Sequence, residues 1–412
     1  MRNATSLERV SLVGMRLIGT SVLGFSLLFA VGALAQQPGA GNISAYSAST
    51  ITTYEVPGAG TGAFQGTIGT GINSAGAISG LYTDASNVNH GYVRAADGTF
   101  ATFDVPDGGT GAGQGTQPQS INRAGVVVGA YVDSNNETHG FVRSATGDIT
   151  TFPCLHALSN PVGGTSMIIN TAGVLAGYCS NAENVFYGLV RKASGTLVEV
   201  TAPGAGTGAN QGTLAMSVNN ALVVTGYSID AGNVYHGVIA DKGSVSTFDI
   251  PGAGTGAGQG TYGSSISGTG AIAGDYIDSD SVSHGFVRSE GGAVTPINVP
   301  GAGTGAGQGT YALSINLTGT TTGVYVDSSN VSHGFVRAAA TGAITTFDCP
   351  GSQGTWPFGI SPNGTIAGFC IDASSVWHGL LADAISLGWG KTAAKASILY
   401  CPHFRPAPEQ AT

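Results

Sequence analysis

An aspartate followed six residues later by a histidine occurs six times in the chain: Asp84 and His90, Asp133 and His139, Asp230 and His236, Asp278 and His284, Asp327 and His333, Asp372 and His378. A carboxylate with an imidazole can do chemistry. The imidazole exchanges a proton near neutral pH, and the carboxylate orients it, raises its basicity or joins it on a metal ion. One such pair would suggest a site, whereas six suggest a structural device, because catalysis needs a unique, asymmetric cluster. An Asp that opens a turn accepts backbone N–H groups, and a His at a strand start bonds a neighbouring carbonyl or carboxylate. Structural use is therefore the first reading, and these residues are at the same time the first candidates for binding. Asp278 and Asp280 offer calcium ligands without the glycine and bidentate glutamate of an EF-hand loop. No metal and no cofactor is expected.

Other chemical signals are weaker. Trp356 and Trp377, two of three tryptophans, offer faces for a sugar ring, with core packing the stronger alternative. The glycine-rich stretch from Pro251 to Gly260 lacks the Gly-x-Gly-x-x-Gly spacing and leads into a strand, so no helix N-terminus is there to hold a phosphate. Gly390-Lys391-Thr392 ends like a P-loop, but Ile385 stands where its first glycine belongs. Neither a Gly-x-Ser-x-Gly elbow nor a His-Glu-x-x-His pair occurs. An enzyme built on repeats should show one copy that departs from the others with convergent carboxylates or histidines. The third copy, Cys154 to Tyr187 with His156 and Glu183, comes nearest.

The elements that carry these residues repeat. His90, His139, His236, His284, His333 and His378, with Tyr187 filling one register, follow at steps of 49, 48, 49, 48, 49 and 45 residues. An Ile-Asn-like element precedes each, from Ile72-Asn73 to Ile360-Ser361, giving seven copies. One copy predicts strands at Tyr311–Asn316, Thr320–Val326, His333–Arg337 and Ile344–Cys349, short β-branched and aromatic runs bounded by turn residues. Four strands in 40 to 50 residues point to a propeller blade. The fold expected is all-β, a seven-bladed β-propeller over residues 51–384.

Loop lengths set the phase. Asp97-Gly98 and Thr146-Gly147 read as two-residue hairpin turns that put Tyr92 opposite Phe103 and Phe141 opposite Phe152. The long Pro106–Thr116 connection then runs from one blade's outer strand to the next inner strand. The last copy lacks an outer strand, so Ile51–Val56 is expected beside His378–Ala382, closing the ring with one N-terminal and three C-terminal strands and removing an open sheet edge. Crossovers and second-to-third loops would share one face.

The motif Ile-Asn-x-x-Gly-x-Ile-x-Gly-x-Tyr followed by His-Gly-Phe-Val-Arg, as in Ile315 to Arg337, resembles the bacterial extracellular HAF repeats, whose unit has His-Ala-Phe where this chain has His-Gly-Phe. The resemblance covers Ile51 to about Ala384. It implies repeat type and export and brings no catalytic motif. The blades are also kelch-like, without the paired glycines of kelch.

Cys154 and Cys349 take the outer-strand position of Val105 and Ile250, and Cys179 and Cys370 the second-strand position of Val132 and Ile277. Disulfides Cys154–Cys179 and Cys349–Cys370 are expected in an exported chain, each worth roughly 3 kcal/mol. In a flat blade the two strands would stand about 9 to 10 Å apart, so the cysteines must sit at strand ends. Cys401 is left unpaired.

Composition and compartment agree. The chain has 412 residues, 42% hydrophobic and only 9% charged, which disfavours disorder. Arg2, Arg9 and Arg16, an apolar run from Leu17 to Leu34 and the small-residue site before Gln36 read as a secretory signal peptide, residues 1–35, followed by a linker, 36–50. Its removal takes three Arg and one Glu from 14 basic and 23 acidic residues, leaving 11 and 22. Such an acidic chain is a poor partner for nucleic acid. No membrane span after cleavage is expected, and a monomer is. The tail 385–412 breaks the repeat. The function expected is a secreted, non-catalytic binding or scaffold module, its partner a glycan, a peptide or an envelope component. The alternative is a propeller hydrolase or lyase with an active site shared by several blades.

Overall fold

A computed structural model describes residues 51–152 and 167–383. The signal peptide, linker and tail expected from the sequence, with Cys154, His156 and Cys401, lie outside the described residues. The described chain is all-β: 28 strands and no α-helix. They form antiparallel meanders, the first made of Gly66–Ile72, Ile78–Thr83, Asn89–Arg94 and Phe100–Phe103. The last meander, Gly354–Ile360, Thr365–Ile371 and Trp377–Asp383, has three strands, and Ile51–Tyr54 pairs antiparallel along its free edge with Thr53 opposite Leu380. That is the pairing expected from the phase of the repeat.

Among the described residues, six junctions between meanders are made in one way. The first residue of a third strand bridges in parallel to the first residue of the next inner strand, as Asn89 to Gly115 and Ser283 to Gly309. Trp377 makes the same bridge to Gly66, from last meander to first. At the other end of the inner strands, buried asparagine amides donate to a carbonyl of the next unit: Asn73 to Asn122, Asn122 to Asn170, Asn170 to Asn219, Asn219 to Ser267 and Asn316 to Ser361, at 3.0–3.2 Å. Asn363 carries the series on to the carbonyl of Ser74.

The core lies between the sheet faces of adjacent units. One cluster joins Val105, Ile121, Val127, Tyr131 and Phe141 to Ala77, Val93 and Phe103 of the unit before. Third-strand arginines lie over the outer-strand ring of the preceding unit, Arg143 over Phe103 at 4.8 Å and Arg288 over Phe248 at 4.8 Å, a packing and cation–π role. Arg94 lies over Tyr54 at 5.1 Å, so the N-terminal strand supplies the ring for the first unit.

Two details differ from the sequence reading. The hairpin between third and outer strands is longer than two residues: Arg94 pairs with Phe100, Ala95 N–H donates to Thr99 and Gly98 takes φ +93°. The ladder shifts by one, placing Phe103 opposite Gly91 and Phe152 opposite Gly140. A β-carbon on Gly91 would stand 2.8 Å from the Phe103 ring, and one on Gly379 would stand 2.4 Å from Tyr54. The glycine of His-Gly-Phe is thus the seat of an aromatic ring.

The disulfide Cys349–Cys370 is formed, with Cα atoms 6.2 Å apart. Cys349 lies two residues beyond the strand Ile344–Phe347, in the crossover, and Cys370 belongs to the following unit, so no third strand intervenes. Cys370 faces His378 as Tyr325 faces His333, so its equivalents are Tyr131 and Tyr276, one residue before Val132 and Ile277. Cys179 is disulfide-bonded, and the expected partner Cys154 lies outside the described residues.

Candidate functional site

The crossovers and the second-to-third loops do meet on one face, and they are bonded there. In the first unit Gly60 N–H donates to the Thr83 carbonyl, Gln65 Oε1 accepts from Gly62 N–H at 2.9 Å, and Gln65 Nε2 donates to Asn87 Oδ1 at 2.9 Å. Asn87 turns the loop at φ +63°, and Gln114, Gln211 and Gln308 repeat the clamp on Asn136, Asn233 and Asn330. Phe64 departs from this pattern. It takes φ +61° where Gly113, Asn210, Gly258 and Gly307 stand, and the residue is 48% exposed with its ring edge-on to Trp377.

The six Asp–His pairs are bonded within their own units. Oδ1 of Asp84, Asp133, Asp230, Asp278, Asp327 and Asp372 caps two turn amides each, as Asp84 does for Ser86 and Val88. His90, His236 and His333 place Nδ1 on Asp104, Asp249 and Asp348 at 2.9–3.0 Å and Nε2 3.5 Å from the loop aspartate. His139 and His284 hold Asp133 and Asp278 at 3.2 and 2.8 Å. His378 lies between Asp372 and Glu55, the latter from the N-terminal strand. Partial burial opposes the charge on Asp84, Asp133, Asp278 and Asp372, but the turn amides and the imidazole outweigh it and hold these carboxyls below their usual range. His333 and His378 are pushed down by burial and raised further by their carboxylates. Tyr82, Tyr131, Tyr276 and Tyr325 stack on the rings at 4.8–5.0 Å. Among the described residues none of these histidines bonds to another.

One loop gathers a third group. Asp133, Glu137 and His139 bring potential ligand atoms within 4.8 Å of one another, a set that can hold a divalent cation. Glu137 stands where the other units have Val88, Val185, Val234, Val282, Val331 and Val376. Trp356 lies parallel to Phe369 at 6.3 Å, and Trp377 is edge-on to the same ring.

The strongest departure from the repeat is a residue that motif reading passed over. Between Gly and Tyr of the second strand the units carry Leu81, Ala130, Tyr178, Tyr227, Asp275, Val324 and Phe369. Asp275 is the one ionisable carboxyl in that register. It lies in Ile272–Ile277, two residues from the end where Ile277 meets Gly260 and the crossover arrives. It is 7% exposed, and burial alone pushes its pKa up to about 8. Tyr262 is directly opposite on the inner strand. Tyr235 stacks on Tyr262 at 4.3 Å, and Tyr227 lies 4.9 Å from Tyr262. Burial, with neighbouring tyrosines and Asp275 itself, pushes the phenols of Tyr227 and Tyr262 up, and burial with Asp275 raises Tyr311. At neutral pH this is a protonated carboxylic acid among protonated phenols, a set of proton donors beneath the loop face.

No family model matches the chain, and no curated protein matches it. Among solved structures, virginiamycin B lyase from Staphylococcus aureus is similar with a TM-score of 0.51 at 14% identity, over 81% of this chain and 99% of that one. A streptogramin B lyase gives 0.52 at 13%, over 82% and 99%. Puromycin hydrolase gives 0.50 at 9%, over 79% of this chain and 53% of that one. The fold is propeller-like. At such identities the likeness is one of architecture. It still corrects the expectation of a non-catalytic binding or scaffold module: these three similar structures are those of two lyases and a hydrolase, so repetition of the unit is no argument against catalysis.

Proposed function

We propose that the chain is an exported propeller enzyme of the hydrolase or lyase class whose reaction turns on the proton of Asp275. The observation that carries this is a buried carboxyl, found in that register in one unit only and set opposite a tyrosine, and its burial pushes the pKa up to about 8. General acids are kept protonated at working pH by this kind of burial. Asp275 would give its proton to a leaving oxygen or nitrogen as that bond breaks. The resulting carboxylate would recover a proton from the attacking water in hydrolysis, or from the carbon next to the broken bond in elimination. The Tyr262 phenol, held protonated, would donate a hydrogen bond to the developing negative charge.

The scaffold in this proposal is a ring of seven four-stranded blades, the last completed by Ile51–Tyr54. The Thr53–Leu380 register, the Trp377–Gly66 bridge, the Asn363–Ser74 hydrogen bond and the seat of Tyr54 over Gly379 support it. Membership of the HAF-type repeats rests on the motif, with glycine for alanine beneath the ring. Export rests on the apolar N-terminal segment and on a disulfide, a bond that persists in oxidising compartments.

The test is a panel of chromogenic esters, lactones and amides and of uronate-containing glycans, given to the mature protein and to Asp275→Asn. The reading expects turnover that falls by about 100-fold or more in the variant, and a kcat/KM that declines above about pH 8. Turnover that the substitution leaves intact would remove Asp275 from the reaction.

A further inference from the structure

Asp275 is an acid without a counter-ion. Among the described residues no arginine, lysine or histidine acts on it. The titratable side chains that feel its charge, Tyr227, Tyr262 and Tyr311, are all tyrosines. Tyr262 comes from the inner strand of its own unit and Tyr311 from the inner strand of the next. Tyr227 comes from the second strand of the unit before, alongside Tyr235 at the start of that unit's third strand. Gly285, across the ladder on its own third strand, adds no side chain. The rings of Tyr227, Tyr235 and Tyr262 lie 4.3–5.7 Å from one another, and all four tyrosines keep part of their surface in solvent. Aromatic faces attract cations, and a carboxyl buried without a cation holds its proton in place of one.

We propose that this cluster binds an organic ammonium group, seated on the faces of the tyrosines and paired with the carboxylate of Asp275. The inference rests on the reading of Asp275 as a functional group and adds a ligand class: an ammonium paired with the carboxylate displaces the proton that the acid step uses, so the cation competes with that step. The exchange balances: the neutral carboxyl releases one proton to solvent as the cation arrives, and the pair that remains carries no net charge.

The probe is choline, which keeps its charge at every pH, against 3,3-dimethylbutan-1-ol, its uncharged isostere. Titration calorimetry on the mature protein should show saturable choline binding, at least tenfold weaker for the alcohol and at least tenfold weaker for Asp275→Asn. Apparent affinity should rise about tenfold per pH unit from pH 6 to about 8 and then level off. Between buffers of different ionisation enthalpy, the heat at pH 6.5 should report release of close to one proton. Tyr262→Leu, checked for folding by its thermal transition, should weaken choline and leave the Asp275 carboxyl in place. Absence of saturable binding, equal affinity for the alcohol, or a pH-independent affinity overturns the inference. Loss of turnover in Asp275→Asn without choline binding would overturn it while the catalytic reading stands; choline binding that depends on Asp275 in a variant with full turnover would support it alone.

Discussion

Replacing Asp275 by asparagine keeps the shape of the side chain and removes the group that titrates, so its effect on stability against pH can be worked from the fold. An unfolded chain loses the Asp275 proton near pH 4, whereas the folded chain holds it to about pH 8. Between those limits the folded state binds the extra proton, so stability falls as pH rises. The contribution is complete below about pH 4 and is lost by about pH 8. Each unit is worth about 1.4 kcal/mol, so roughly 4 kcal/mol is gone at pH 7 and between 5 and 6 kcal/mol at the upper limit. The assay is urea unfolding of wild type and Asp275→Asn at pH 5, 6, 7 and 8. Raised pKa values at His333 and His378 also make stability fall with pH, but they act in both proteins and cancel in the difference. The variant should gain on wild type by about 1.4 kcal/mol per pH unit over this range. Parallel curves for the two proteins would refute the claim that burial holds the proton on Asp275.

Other expectations concern the frame. Cys349→Ser should cost roughly 3 kcal/mol in denaturant unfolding, and a reductant should lower the wild-type midpoint further than the substitution does, because it also opens the bond of Cys179. Asn122→Ala removes one donor to Asn170 and one acceptor of the Ala124 and Val126 amides at a buried position, and should cost roughly 3 kcal/mol. Deleting residues 51–56 bares the edge of Trp377–Asp383 and takes Tyr54 from above Gly379, so light scattering should show association that grows with concentration.

The sequence carried the frame because the frame repeats. A 48- or 49-residue step aligned the strands, and the incomplete last unit pointed to the pairing of Ile51–Tyr54 with its edge. The hairpin register was missed by one residue because Gly98 closes a longer turn than Asp97-Gly98 suggests, and only packing shows that a ring must lie over Gly91. The obstacle to the disulfide came from assigning both cysteines to one unit. The site was hard to read for the opposite reason. Repetition drew the eye to Asp84, His90 and their kin, which bond inside their own units, while Asp275 looked like one more polar residue in a strand. Its single occurrence in that register was legible; that the register faces tyrosines rather than solvent was not, because burial depends on how adjacent units meet.

The most direct measurement is the titration of Asp275 itself. Carbon-13 NMR of the carboxyl in aspartate-labelled protein, assigned by loss of the resonance in Asp275→Asn, should give a midpoint near pH 8. A midpoint in the ordinary carboxylate range would contradict the account, since the group would then be ionised at neutral pH and have no proton to give.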